Sequence, residues 1–366
     1  MNAIKATINE KNSLKVRQIC FILLAFSPVT KIISMPAEIA LVAGEGLWLT
    51  LLTSFLIEGL TILFILYLSE KRGNGTFYSL LETTFGKPAA KIIYFLIAAY
   101  LTVKSLLPVL ENKAYIENTV YEMSPDRITF FVFFIFSAYL SVKGLKILGR
   151  AADIAVWFTC AGFLVALGLS VGAADYANLL PIFKKPAYNF VNALFRALPW
   201  QNDSIYILLF CGHFRPEKAY KTRITLSYFA GAFLTLVFVT TFYGIYGKIA
   251  PSQNFALPSM SVFSVIVTNI GRFDFLAIFF IMFSQVFALS IPTMLAVKCV
   301  TRALSINNSI VPSLTINGVL AFATAFLCSQ TSVILSFNTN VLSYVYAGFT
   351  AFFVLTLLTT KKRSKE

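Results

Sequence analysis

Two stretches decide how this chain folds: LLAFSPVTKIISMP at residues 23–36 and ALFRALPWQNDSIYILL at residues 193–209. Each is a long apolar run broken near its middle by proline and polar residues. The first holds Ser27, Pro28, Thr30, Lys31 and Pro36, and the second holds Arg196, Pro199, Trp200, Gln201, Asn202 and Asp203. Proline has no backbone N–H to donate and clashes with the preceding turn, so each run reads as a helix that stops and restarts.

The rest of the sequence says what solvent surrounds them. Of 366 residues, 58% are hydrophobic and 13% charged, against about 25% charged in a typical soluble protein. Thirty-seven Phe and a mean hydropathy of +0.77 leave too little polar surface to coat a water-soluble body. The same composition excludes disorder, coiled coils and small disulfide scaffolds. The chain reads as an all-α polytopic membrane protein.

A crossing needs about 20 mostly apolar residues. That ruler gives ten spans, at 17–43, 47–69, 88–111, 127–143, 150–172, 187–212, 222–246, 273–298, 310–328 and 339–360. Asp126, Arg127 and Lys143 bracket the short fourth one. Residues 74–86 and 258–270 are amphipathic and too short to cross, and suit helices lying in the interface. The broken runs fall in spans one and six, five spans apart. Five is odd, so the second half enters the membrane in the opposite sense. Interrupted helices at matching positions of inverted halves point to a transporter-type site at the bilayer midplane. The expected architecture is a five-plus-five inverted repeat with helices 1 and 6 discontinuous. A lead at 1–16 precedes the first repeat at 17–172, the second occupies 187–360, and a basic tail closes at 361–366.

Lys and Arg accumulate on the cytoplasmic side of membrane proteins. With the N-terminus inside, twenty-one of the thirty fall at inside positions, including Lys71, Arg72, Lys143, Lys146, Arg150, the Arg215–Arg223 group, Lys298, Arg302 and the tail. Six fall outside, and Lys31, Lys104 and Arg196 lie within spans. Both termini are therefore expected in the cytoplasm. The net charge of +14 reads as topology and anionic-lipid contact, with no nucleic-acid partner.

Catalytic and metal chemistry find little support. The five cysteines (Cys20, Cys160, Cys211, Cys299, Cys328) show no metal spacing and mostly sit in apolar runs. The single histidine, His213, has no second ligand nearby and reads as an interfacial residue. No nucleophile elbow, zinc-protease or phosphate-loop motif occurs, and no cleavable signal peptide is expected before the first span. No catalytic residue, metal or cofactor is assigned.

Charge in mid-membrane is costly, by about 2.5–3.5 kcal/mol on insertion scales, so such residues need partners or water. Lys31, Glu58, Lys104, Arg196 and Asp203 all count to near mid-depth. Lys31 and Asp203 lie at the two breaks and are expected to pair. Glu58, Lys104 and Arg196 form a possible charge network, with snorkelling to the outer surface the alternative for Lys104 and Arg196. Glu38 is expected two turns beyond Lys31 on the same helical face. Tyr100 in span three and Ser284 and Gln285 in span eight lie at the level of the breaks. The expected ligand-binding set is Ser27, Thr30, Lys31, Tyr100, Trp200, Asn202, Asp203, Ser284 and Gln285.

Several local patterns carry a family resemblance. They are Pro36 followed by Gly46-Leu47-Trp48, FYSLLETTFGK at 77–87, the loop from Gly144-Leu145 to Arg150, and ANLLPIF at 177–183. With the ten spans, their order and spacing resemble the amino acid–polyamine–organocation transporters. Within that superfamily, they resemble the permease-like B subunits of bacterial spore germinant receptors over nearly the full length. The resemblance implies a non-enzymatic sensor in the spore inner membrane, working with an A subunit and a lipoprotein C subunit. It would bind a small nutrient, an amino acid or a sugar, in a transporter-like pocket. Where relatives often carry glycine at the first break, this chain reads Ser27-Pro28-Val29-Thr30-Lys31. A proton-coupled transporter of amino acids or small amines, with Glu58 or Asp203 as proton carrier, is the alternative function.

Overall fold

The computed structural model describes residues 13–119, 130–181, 185–262 and 274–360. The lead up to residue 12, the Asp126/Arg127 bracket, the later part of 258–270 and the basic tail lie outside the described residues. Among those described, regular structure is helical, apart from an isolated parallel bridge between Leu14 and Phe214.

Helix α1 (Val16–Val29) ends at the first break, and α2 (Met35–Ala43) resumes after it with Pro36 in its first turn. Pro36 suits that position because its missing N–H would have had no partner there anyway. The backbone between them recruits partners from elsewhere: Ile33 carbonyl accepts from the Ala256 amide at 2.8 Å, and Val29 carbonyl from Gln285 Nε2 at 3.4 Å. Buried carbonyls must be paired, and at membrane depth only neighbouring protein can do it. Since the helix is broken at Thr30–Ser34, Glu38 does not continue the helical face of Lys31, which corrects the sequence reading.

Next come α3 (Leu47–Lys71) and α4 (Phe77–Thr119). Gly86 turns out of the helix at φ 85°, so residues 77–85 form a separate short helix, within the segment read as interfacial. Gly144, at φ 79°, separates α5 (Phe131–Lys143) from α6 (Leu145–Ser170). The second break divides α7 (Ala187–Ala197) and a tight turn at Leu198–Trp200 from α8 (Ser204–Phe210). Long α9 (Tyr220–Tyr246), short α10 (Ala256–Val262), α11 (Asp274–Ala303) and α12 (Ile310–Leu327) follow. Finally α13 (Thr331–Phe337) runs through a wide π turn at Asn338–Leu342 into α14 (Ser343–Thr359). The last span therefore begins at Thr331, eight residues before the 339 read from sequence.

Seven helical stretches among the described residues are long and apolar enough to cross a membrane, and α1 and α5 are shorter apolar helices. Their surfaces identify the solvent. On α3, Thr50, Leu51, Ser54, Phe55, Glu58 and Ile62 are buried, whereas Leu56, Ile57, Leu60 and Tyr67 are exposed. The outward face is as apolar as the inward one, which fits hydrocarbon and not water. Lipid tails are as apolar as leucine, so burial adds little drive, and close approach and interhelical hydrogen bonds hold the helices together. Helix α1, apolar on every side between its first turn and Ser27, sits inside a cage of α6, α9 and α11. Gly149 of α6 and Gly231 of α9 permit this: a Cβ on the first would lie 2.7 Å from Leu14, and on the second 3.2 Å from Pro28.

Candidate functional site

The two breaks meet in the interior. Lys31 Nζ lies 2.8 Å from Asp203 Oδ2, and the two side chains are 0% and 1% exposed. An ammonium has three donors, and all are used here: the others go to the Ser27 carbonyl at 2.9 Å and Ser27 Oγ at 3.0 Å. Ser27 Oγ in turn donates to Asp203 Oδ2 at 2.8 Å. The pairing expected from the cost of buried charge is present. Asp203 Oδ1 is buried without a hydrogen-bond partner.

A second pair of charges brackets the same break. The Ser204 amide, at the start of α8, donates to Glu58 Oε1 at 2.6 Å. Lys104 Nζ donates to the Gln201 carbonyl and faces the rings of Tyr206 and Tyr346 at 5.7 and 6.0 Å. Lys104 is thus buried in the centre and does not snorkel. Ser54 Oγ donates to Gln201 Oε1, while Gln201 Nε2 has no partner. Asn202, held at a left-handed φ of 70°, donates to Tyr100 Oη at 3.3 Å. Tyr100 itself packs edge-on to Tyr346 and Phe353.

A third polar contact was not anticipated from sequence. Glu111 of α4 accepts from Ser34 Oγ at 2.5 Å and from Trp200 Nε1 at 3.0 Å. One buried carboxylate therefore joins the end of the first break to the second. Glu111 counts to the very end of a span read as 88–111, so it looks like an interfacial acid, whereas α4 continues to Thr119.

The remaining candidates divide. Gln285 reaches the first break through Val29, and its Oε1 has no partner. Thr30 bonds back to the Phe26 and Ser27 carbonyls at 3.3 and 3.4 Å. Ser284 donates to the Ala155 and Phe280 carbonyls, joining α11 to α6 away from the charges. Arg196 stands apart from the central network: it lies 4.0 Å from Glu38 and donates to Asn340 Oδ1 at 2.5 Å, with about a fifth of its side chain exposed.

Between these groups remains a cavity of about 20 Å³, bounded by Phe26, Thr30, Lys104, Trp200 and Tyr206. That is room for about one water molecule. The arrangement is closed and sets Lys31 and Lys104 beside Asp203 and Glu58, with Glu111 a third acid at its edge. It offers selective hydrogen bonding and charge exchange. Among the described residues, no three His, Cys, Asp or Glu side chains come together as a metal site. His213 lies outside this centre, in the loop after α8. Burial beside Lys298 and Arg302 presses its imidazole down to about 3, so it is neutral at physiological pH.

The spore-permease family model, described as spore germination protein, matches residues 13–334. No curated protein matches the chain closely enough to count as a relative.

Proposed function

The chain belongs to the spore-permease family of spore germination proteins, and from that premise we propose that it is the membrane subunit of a germinant receptor. It binds a small nutrient, an amino acid or a sugar, between the two helix breaks and passes a change of shape to A and C partner subunits. We take it to have ten spans: the broken pairs α1–α2 and α7–α8, the short α5, α3 from the Met35–Lys71 stretch, and the six other long stretches. The inverted halves and cytoplasmic termini read from sequence complete this picture, in the bacterial cytoplasmic or spore inner membrane.

One observation carries the reading: a fully buried Lys31–Asp203 pair joins the two breaks. A buried pair is weak evidence for stability, since desolvation offsets its attraction, and switching is among its better uses. Lys31 keeps its two bonds to Ser27 if the ion pair opens, and Asp203 has a buried Oδ1 without a hydrogen-bond partner. A nutrient that competes for either group favours a second arrangement, and a ligand can drive a change only by such a difference in affinity.

The test is labelled-solute binding and uptake in vesicles carrying the full chain. Saturable binding without uptake supports a sensor. Uptake driven by a proton gradient and abolished by Glu58→Gln supports the transporter alternative instead.

A further inference from the structure

A cavity much larger than that of the closed centre faces outward. It measures about 960 Å³ and lies between α3 and α14. Ile57, Leu60, Phe64 and Tyr67 form one wall, and Ala351 and Val354 form the other. Leu60 is 62% exposed and Tyr67 52%, so the groove opens on the face that meets lipid.

Its two ends differ chemically. The inner end reaches Glu58 and Asn202, both part of the polar centre. The outer end is basic. Lys221 lines it, with its ammonium 5.5 Å from the Tyr67 ring and paired with Glu70. Lys71 and Arg72 close α3 beside it, and Arg72 Nη2 donates to the Leu358 carbonyl of α14 at 2.6 Å, leaving its Nε unpartnered. In sequence, α14 then runs into Lys361, Lys362 and Arg363. From Ile57 to Tyr67 the wall rises ten residues, about 15 Å, which is half of a ~30 Å hydrocarbon core. The groove is therefore one leaflet deep, apolar along its length and cationic at its headgroup end.

We propose that this groove is a site for an anionic phospholipid of the leaflet on the Lys221 side. Its phosphate lies among Lys221 and Arg72, and one acyl chain fills the space between α3 and α14. The chain end covers the membrane-facing side of Glu58 and Asn202, so lipid occupancy keeps water from that route to the centre. The site does not depend on which nutrient is bound or on how the signal leaves.

The test reconstitutes the full chain in vesicles of phosphatidylcholine and phosphatidylglycerol, extracts it in mild detergent and measures retained phospholipid by mass spectrometry. Phosphatidylglycerol should be enriched over its share of the vesicle. Lys221→Gln should lower that enrichment about fivefold, the effect of one cation near an anionic lipid surface. Ala351→Phe fills the groove and should reduce retained lipid of both kinds. Retention matching the vesicle composition, or unchanged by Ala351→Phe, overturns the proposal. Should Ala351→Phe not fold, phosphatidylglycerol with a photoreactive acyl chain is applied to the unaltered protein. Cross-links concentrated at residues 57–67 and 347–354 support the site, and even labelling of α5 and α12 overturns it. Capture of a second protein by a cysteine at position 351 in native membranes, in place of lipid, also overturns it.

Discussion

The Ser204 amide and the Glu58 carboxylate are joined by a 2.6 Å hydrogen bond, which places a side chain of α3 at the head of α8. A helix that restarts inside a membrane exposes free N–H groups, and here one finds an acid. Glu58→Gln keeps an acceptor and should leave the unfolding midpoint in detergent little changed. Glu58→Leu leaves the amide unpaired and should cost about 1–3 kcal/mol. Equal effects of the two changes would show that this bond does not support α8.

Removing one member of the Lys31–Asp203 pair leaves a buried charge alone. Lys31→Met or Asp203→Asn should each destabilise by about 3–5 kcal/mol, with part of the loss recovered in the double variant. Strict additivity in unfolding measurements would mean that the residues act independently. If the double variant recovers protein level but not nutrient response, the pair serves signalling as well as folding.

Trp200 donates to Glu111, and under the proposed switch this bond favours the closed arrangement over the second one. Trp200→Phe removes the N–H while retaining an aromatic ring, and should favour the open arrangement. The nutrient concentration for half-maximal germination should then fall, by up to about tenfold. A rise instead would show that Trp200 touches the nutrient.

Acid should weaken the fold partly through His213. Its imidazole sits at about 3 in the folded chain, against 6.5 for the free side chain. Between those values the unfolded chain takes up a proton that the folded chain does not. The contribution is therefore whole above 6.5 and shrinks as pH falls toward 3. His213→Gln should match the parent at neutral pH and lose less stability near about pH 4. Parallel pH curves for the two proteins would remove His213 from the account.

The proposed orientation is checked by labelling in a cysteine-free background. A cysteine at position 117 should react from outside and one at 218 from inside. The reverse pattern would invert the placement of both halves.

The breaks were legible because proline and charge inside apolar runs have few other meanings, and Lys31 and Asp203 were matched by the cost of leaving either alone. Other features depend on geometry that periodicity does not carry. Glu111 was hidden by the counting of span ends, since an acid at position 111 looks interfacial until α4 is seen to run on. Ser284 is polar at the right level, yet it turns to the carbonyls of Phe280 and Ala155. Asn338 lowers the apolar character just before the span read as 339–360 and masks a helix that starts at Thr331. A π turn accommodates Asn338 there, and it accepts from Tyr346 Oη at 2.9 Å.

The bridge between Leu14 and Phe214, made through the Leu14 amide on the His213 carbonyl at 2.9 Å, ties the residues just before α1 to those just after α8 and so gives the two broken helices a second fastening. The 14 residues of α1, about 21 Å, separate it from the break that holds Lys31. Two bodies fastened at two distant points move as one lever. The head of α8 is tied to α3 as well, through Ser204 and Glu58, so a change at the Lys31–Asp203 contact is felt between two anchors and not at a loose end.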